Sequence, residues 1–253
     1  MSEERAMRYS RQIVLPEVGV EGQARLAQSR VLIVGLGGLG SPAAIYLASA
    51  GVGQLVLNDF DSVDATNLQR QILYAESDVG RAKTDAAADA IARIDRRVTC
   101  MLIPERLQDQ RLTDTVGNCD VVLDGSDNFA TRFAVNAACV ATRTPLVSGA
   151  ALRFEGQLAV FRPDIGGGPC YRCLYGESDE ALENCRNNGV LAPLVGVIGS
   201  LMAVEAVKVV VGLGDDSPGR LVLYDARTLR WREIALVRDP ACPVCGTGAR
   251  AAD

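Results

Sequence analysis

Short apolar runs alternate with longer amphipathic or Ala-rich stretches through the first 150 residues. The runs at 31–34, 55–57, 98–103, 121–123 and 145–148 predict strands, and the stretches at 41–50, 80–94 and 128–142 predict helices. Pro42 falls in the first turn of the first helix, where its missing N–H costs nothing. Gly51 and Gly53 end that helix. Strands separated by helices of this length imply a parallel, doubly wound sheet.

After Gly149 the pattern changes. Residues 157–161, 221–224 and 231–236 read as strands in hairpin or meander order, split by an apolar helix at 193–211. The expected fold class is therefore α/β with one mixed sheet, parallel in its N-terminal half and antiparallel in its C-terminal half. The 193–211 run is about long enough to cross a bilayer. Glu205 and Lys208 sit one helical turn apart inside it, and Gly196 and Gly199 suit close backbone packing, so it predicts a buried core helix. Residues 162–168 read as loop, 175–189 as a polar surface stretch, and 247–253 as a disordered tail. A single domain is expected, with a nucleotide-binding half at 1–150 and a second half at 151–246.

Composition narrows the chemistry. Of 253 residues, 48% are hydrophobic and 23% charged, enough for a core that needs no staples. Lys and Arg total 26 against 31 Asp and Glu, and the resulting −5 argues against nonspecific nucleic-acid binding. Residues 1–8 form no basic-then-apolar leader, so the expectation is a soluble, cytoplasmic protein with no membrane association. The chain has no histidine, which removes His-based triads, His general bases and His metal ligands together. Any mechanism must run on carboxylates, Arg, Lys, Cys and bound metal.

Gly35-x-Gly37-Gly38-x-Gly40 follows a predicted strand and opens a predicted helix. Its glycines permit a tight turn, and the helix N-terminus favours phosphate oxygens. Asp59 ends the next strand about 20 residues on, placed to accept from ribose hydroxyls. Alone, this fingerprint suits NAD. Three further segments redirect it: Asn67-Leu68-Gln69-Arg70-Gln71, then Lys83, then Asp124-Gly125-Ser126-Asp127-Asn128 just past a strand. Two cations can neutralise a triphosphate, and a carboxylate at a strand end can hold Mg²⁺ on it. Hydride transfer needs none of this, so the nucleotide is expected to be ATP.

With these segments the chain resembles the ubiquitin-activating-enzyme-like adenylyltransferases of the MoeB/ThiF/HesA family. The resemblance runs from Met7-Arg8-Tyr9-Ser10-Arg11-Gln12 to Cys245-Gly246 and includes Cys170-Tyr171-Arg172-Cys173 and Gly196-Val197-Ile198-Gly199. It implies a Rossmann-like adenylation domain whose second half binds a carrier protein. It also implies that Asp59 is the ribose ligand, that Asn67, Arg70 and Lys83 hold the polyphosphate with Gln71 and Asn128 in the same site, and that Asp127 is the magnesium carboxylate. Arg11 matches the arginine that reaches the neighbouring subunit's ATP in family dimers, so a homodimer is expected. The implied reaction is attack by a carrier's C-terminal glycine carboxylate on the ATP α-phosphate, giving an acyl-adenylate and pyrophosphate. That carboxylate is already ionised at pH 7, so the missing histidines cost nothing, and catalysis reduces to positioning and charge neutralisation.

Eight cysteines occur. Cys170/Cys173 and Cys242/Cys245 are two C-x-x-C pairs at spacing suited to tetrahedral zinc, and four thiolates make a closed, structural site. A redox C-x-x-C is disfavoured by the presence of two pairs. Cys185 lies beside Arg186, which would lower its pKa. Two readings of it stay open, a covalent persulfide-type link to the carrier, as in the thiamine branch, or a dispensable surface thiol. Cys100, Cys119 and Cys139 read as packed thiols.

The expected substrate is a small ubiquitin-like sulfur carrier ending in Gly-Gly. The small subunit of molybdopterin synthase is preferred and the thiamine-pathway carrier is the alternative. The chain stops soon after Cys245, without a rhodanese-like extension, so sulfur is expected from a separate donor protein. An NAD-dependent oxidoreductase is the remote alternative, since no His or Tyr-x-x-x-Lys relay is evident. A non-enzymatic scaffold would be expected to have lost Arg70, Lys83 or Asp127, and all three are present.

Overall fold

The computed structural model describes residues 3–176, 189–214 and 219–246. Three N-terminal helices, α1 (Glu3–Arg8), α2 (Ser10–Ile13) and α3 (Gly19–Gln28), precede β1 (Arg30–Val34). Strand and helix then alternate through α4 (Gly40–Ala50), β2 (Gln54–Asn58), α5 (Lys83–Ile94), β3 (Thr99–Ile103), α6 (Asp109–Gly117), β4 (Val121–Asp124), α7 (Phe129–Thr142) and β5 (Leu146–Leu152). The remainder is β6 (Glu155–Phe161), α8 (Tyr171–Leu174), α9 (Ala192–Val211), β7 (Arg220–Asp225) and β8 (Arg230–Ala235).

All eight strands form one sheet in the order β3-β2-β1-β4-β5-β6-β7-β8. The first five are parallel, and β5 through β8 pair antiparallel. The mixed sheet read from the hydrophobic pattern is thus present, with β5 shared between its two parts. Position 150 falls inside that strand, and the sheet runs unbroken across it. Val31 and Ile33 of β1 face one core, with α3, α4, α5 and α9. Leu32 and Val34 face the other, with α6, α7 and α8. Burial on both faces explains why the central strands read as continuous apolar runs rather than alternating ones.

The apolar helix at 193–211 is α9, and it lies against α3, α4, β5 and β6. By length and composition it could cross a membrane, but its packing makes it a core helix. Leu194, Ile198, Met202 and Ala206 are fully or almost fully enclosed. Glu205 and Lys208 pair with each other at 2.7 Å on its outer side. Gly199 meets α4 directly, because a Cβ there would lie 2.3 Å from the Leu39 carbonyl oxygen and 2.5 Å from Pro42.

Some elements lie where the pattern predicts none. The helices before β1 bury little that is apolar, and α3 turns Gly22 and Gln23 inward beside Leu26. Only Leu112 and Val116 of α6 are buried. Such short, mostly polar faces carry almost no periodic signal. The helix expected from residue 80 starts at Lys83, because Gly80 takes φ +87° in a turn that bonds its N–H to the Val63 carbonyl. The expected tail at 247–253 and most of the 175–189 stretch lie outside the described residues.

Gly199→Ala should be destabilising by about 1–3 kcal/mol through this overpacking. Gly196→Ala, with no atom within 4 Å of its added Cβ, should raise stability by about 0.5–1 kcal/mol through helix propensity. Denaturant unfolding of both variants beside the parent checks the contrast.

Candidate nucleotide site

The sheet reverses its winding between β1 and β4, so the connections after these strands leave a crevice at their C-terminal ends. Gly35 leaves β1 with φ +86° and bonds its N–H to the Asn58 carbonyl at 2.8 Å. Gly40 opens α4 so close to this turn that a Cβ would lie 1.9 Å from the Gly35 oxygen. No side chain caps α4; the Ser41 N–H bonds the Gly37 carbonyl at 2.9 Å and the Ala43 N–H the Leu39 carbonyl at 3.3 Å, so the first turn closes on the backbone of the glycine loop.

Asp59 follows β2 beside the loop. Its carboxylate accepts from the Leu36 N–H at 2.8 Å and the Asp61 N–H at 2.9 Å, and Lys83 Nζ stands 3.6 Å away. Lys83 is buried and also pairs with Asp61 at 3.0 Å. Burial pushes the Asp59 carboxyl above the usual carboxylate range, against the pull of Lys83.

The 64–74 segment folds over the same loop. Tyr74 donates its hydroxyl to the Leu36 carbonyl at 3.0 Å. Gln71 lies above Gly37, and its buried Oε1 has no hydrogen-bond partner among the described residues. Asn67 accepts at its carbonyl from the N–H groups of Arg70 and Gln71. The Arg70 guanidinium rests on the Thr66 carbonyl at 3.2 Å, and the Asn67 amide donates to Thr66 Oγ1 at 3.5 Å. Asp59, Lys83, Gln71 and the glycine loop are therefore joined through direct contacts, with Asn67 and Arg70 on the turn that carries Gln71.

Asp127 and Asn128 reach the crevice from β4. Asn128 caps α7, its Oδ1 accepting from the Thr131 N–H at 2.9 Å, and its amide lies 3.4 Å from Asp127 Oδ1. Asp127 is exposed. Two residues beneath this turn escaped sequence reasoning. Asp124 is fully buried, with Oδ1 taking the Ser126 N–H and hydroxyl and Oδ2 unpartnered. Arg132, also buried, donates to Ser148 Oγ and to the carbonyls of Ser126 and Gly149, clamping the turn onto β5. The available signal was an arginine on the same helix face as Val135 and Asn136, a place where charge needs a partner.

Arg11 is not brought to this group. The Tyr9 hydroxyl beside it bonds Asp95 at the end of α5, and Gln12 bonds the Ala50 carbonyl at the end of α4. The glycine loop is at the opposite end of α4, about 16 Å away along its 11 residues. Cys185 lies outside the described residues.

A second cluster stands apart. The Sγ atoms of Cys170, Cys173, Cys242 and Cys245 all lie within 4.8 Å of one another. Cys170 and Cys242 are 3.7 Å apart, and Cys173 and Cys245 are 3.4 Å apart. Tetrahedral zinc with Zn–S near 2.3 Å implies S···S of about 3.8 Å, so the four sulfurs fit a metal. The Asn136 amide and the Asp239 N–H also point at Cys170 and Cys173 sulfur, each at 3.5 Å, the support expected around thiolate ligands. Burial pushes the thiols of Cys100 and Cys119 up to about 11, so neither is poised as a nucleophile at neutral pH.

The sheet, its switch-point crevice and the loop with its buried lysine define a nucleotide-binding enzyme of the doubly wound class. A family model described as "ThiF family" matches residues 9–244, and the chain belongs to that family. It is 49% identical over 246 residues to the molybdopterin-synthase adenylyltransferase of Escherichia coli K12, covering 97% of this chain and 98% of that protein. It is 47% identical over 246 residues to the sulfur carrier protein ThiS adenylyltransferase of the same organism, covering 97% of each. Among solved structures, E. coli MccB with ATP superposes with a TM-score of 0.82 at 25% identity, covering 94% of this chain and 73% of that one.

Because the folded-state pKa of Asp59 lies above its unfolded value, stability falls as pH rises from the ordinary carboxylate range through the raised value, and the loss persists at neutral pH. Asp59→Asn should therefore raise the ligand-free melting temperature by a few degrees at pH 7 and flatten its decline above pH 4 or so. On the expectation that Asp59 accepts from the ribose hydroxyls, the substitution should also weaken nucleotide binding roughly ten- to a hundredfold. Thermal unfolding across pH and calorimetric titration check the two halves.

Proposed function

We propose that the protein uses ATP to adenylate the C-terminal glycine carboxylate of a small ubiquitin-like sulfur carrier. The observation that carries this reading is buried Lys83 beside Asp59 at the glycine loop, with exposed Asp127 on the turn after the neighbouring strand β4. A dinucleotide site for hydride transfer has no use for that lysine or that carboxylate. The adenylyltransferase names of both E. coli relatives support the same chemistry.

In this reading the glycine loop receives phosphate oxygens, and Asp59 accepts from the ribose. Lys83, Arg70 and Asn67 hold the polyphosphate, where positive charge offsets what develops on the departing pyrophosphate. The carrier carboxylate attacks the α-phosphorus, its C–O–P bond forms as the bond to pyrophosphate breaks, and no proton is transferred. Asp127 is the residue that would hold Mg²⁺, which when bound draws charge from the phosphate oxygens. Asp124 and Arg132 act one layer below, fixing the turn that presents Asp127.

The carrier is the small subunit of molybdopterin synthase or its thiamine-pathway counterpart. The near-equal 49% and 47% identities fit either carrier. Cys185 is then either a covalent sulfur-transfer residue or dispensable, and sulfur arrives from a separate donor protein. The protein works as a soluble, cytoplasmic homodimer. Arg11, held at the far end of α4 from its own loop, crosses to the partner's site in the manner of an arginine finger. Zinc in the four-cysteine cluster ties the C-terminal segment to α8 and has a structural role, since four thiolates leave no open position.

Carrier-dependent ATP–pyrophosphate exchange, run with each purified carrier, tests the reaction. Exchange should require a Gly-Gly carrier and fall at least about 100-fold in Asp127→Ala. Confirmed heterodimers of Arg11→Ala and Asp127→Ala subunits should regain part of it. Absence of exchange with any such carrier overturns the reading.

Protein purified without chelator should carry close to one zinc per chain by elemental analysis. Cys242→Ser should lose the metal and destabilise the fold by several kcal/mol. Metal content near zero in active protein would remove the zinc assignment.

A further inference from the structure

α2 is a single helical turn, and one turn does not hold its own shape in water. The direction in which Arg11 points is therefore set by what its neighbours bond. Tyr9, just before the turn, is buried, and its ring rests so close to the end of α4 that a Cβ on Gly51 would lie 2.6 Å from it. The Tyr9 hydroxyl donates to Asp95 at 2.5 Å, the length of a bond to an ionised carboxylate. Asp95 also meets Arg8 Nε at 3.2 Å and Arg97 Nε at 2.8 Å. Burial would raise its carboxyl, but the bonds from Arg97 and Tyr9 hold it well below the usual carboxylate range, so the acceptor stays charged. On the other side of Arg11, the Gln12 amide donates to Gln23 Oε1 at 2.8 Å and to the Ala50 carbonyl at 3.0 Å.

Arg11 is treated in the opposite way. It is exposed, and among the described residues its guanidinium has no hydrogen-bond or ion-pair partner. Met7, Val14 and Leu15, on either side of it in the chain, are exposed apolar groups. An arginine left unpaired between two anchored neighbours, on an apolar stretch of surface, is presented to something outside its own chain.

We propose that Tyr9 and Asp95 are positioning residues for Arg11, holding the α2 turn in the pose from which Arg11 enters the nucleotide crevice of a second copy. The inference rests on the homodimer reading above and adds to it the buried bond that aims the arginine. A merely structural bond would act elsewhere. Asp95 follows the last residue of α5 and Lys83 is the first, so loss of the bond by that route disturbs the subunit's own crevice. The two roles differ in which subunit's crevice suffers.

Heterodimers with one live crevice read that difference, with an unaltered subunit paired to Asp127→Ala as the reference for carrier-dependent exchange. Tyr9→Phe removes the bond and keeps the ring on Gly51. Placed on the live subunit, opposite Asp127→Ala, it leaves the incoming Arg11 intact, and exchange should stay within about twofold of the reference. Placed together with Asp127→Ala, opposite an unaltered subunit, it loosens the turn that serves the live crevice, and exchange should fall roughly ten- to a hundredfold. Asp95→Asn should repeat the pattern, and Lys83→Ala serves as a second silencing substitution. Arg11→Ala, run in both arrangements, tests the underlying reading and should show the same asymmetry. Equal loss in both arrangements, or loss only with Tyr9→Phe on the live subunit, would make the bond structural and overturn the proposal. No loss in either would overturn it too, while an asymmetric Arg11→Ala leaves the trans arginine standing. A symmetric Arg11→Ala, or a chain that stays monomeric, would remove the trans reading and the positioning role together.

Discussion

The architecture depends on the approach of Gly40 to the Gly35 carbonyl. No side chain fits between them, so α4 can begin immediately at the end of β1 with its N-terminus over the crevice. The same contact ties the site to the core. Gly38 in the loop lies against Val195 of α9, and Gly199 of α9 lies against Leu39 and Pro42. The apolar helix therefore clamps the glycine loop from behind. Burial of α9 and placement of the loop are one packing event.

Beside the crevice the protein buries charge in two places and compensates each. Lys83 is enclosed with Asp59 and Asp61, and Arg132 is enclosed among three backbone and side-chain acceptors near Asp124. Isolated burial of any of these would cost several kcal/mol. Among the described residues, two buried acceptors near the crevice, Gln71 Oε1 and Asp124 Oδ2, lack hydrogen-bond partners. Incomplete satisfaction next to a crevice is the pattern of a site organised for a ligand, where stability is given up for preorganisation.

The four-cysteine cluster and the nucleotide crevice share α7. Asn136 of that helix accepts the Tyr171 N–H at 2.8 Å and donates to Cys170 sulfur, while Asn128 caps its other end beside Asp127. A helix anchored at the cysteines thus carries the exposed carboxylate of the crevice.

The sequence by itself determined the parallel-then-antiparallel order of strands, the glycine loop with Asp59, and the two cysteine pairs, because each is written in local periodicity or fixed spacing. It named Asn67, Arg70, Gln71, Lys83, Asp127 and Asn128 as a set through their resemblance to a family. It left α1–α3 and α6 unseen, since helices that bury one or two apolar groups leave no periodic trace. Only the tertiary structure decided that residues 58–61, 71 and 83 converge on one loop and that Arg132 braces the Asp127 turn. Likewise, only it separated Arg11 from the crevice by the length of α4. Those relations depend on which strand lies beside which and on what a buried charge finds as its partner, and neither is encoded in any stretch of chain short enough to read alone.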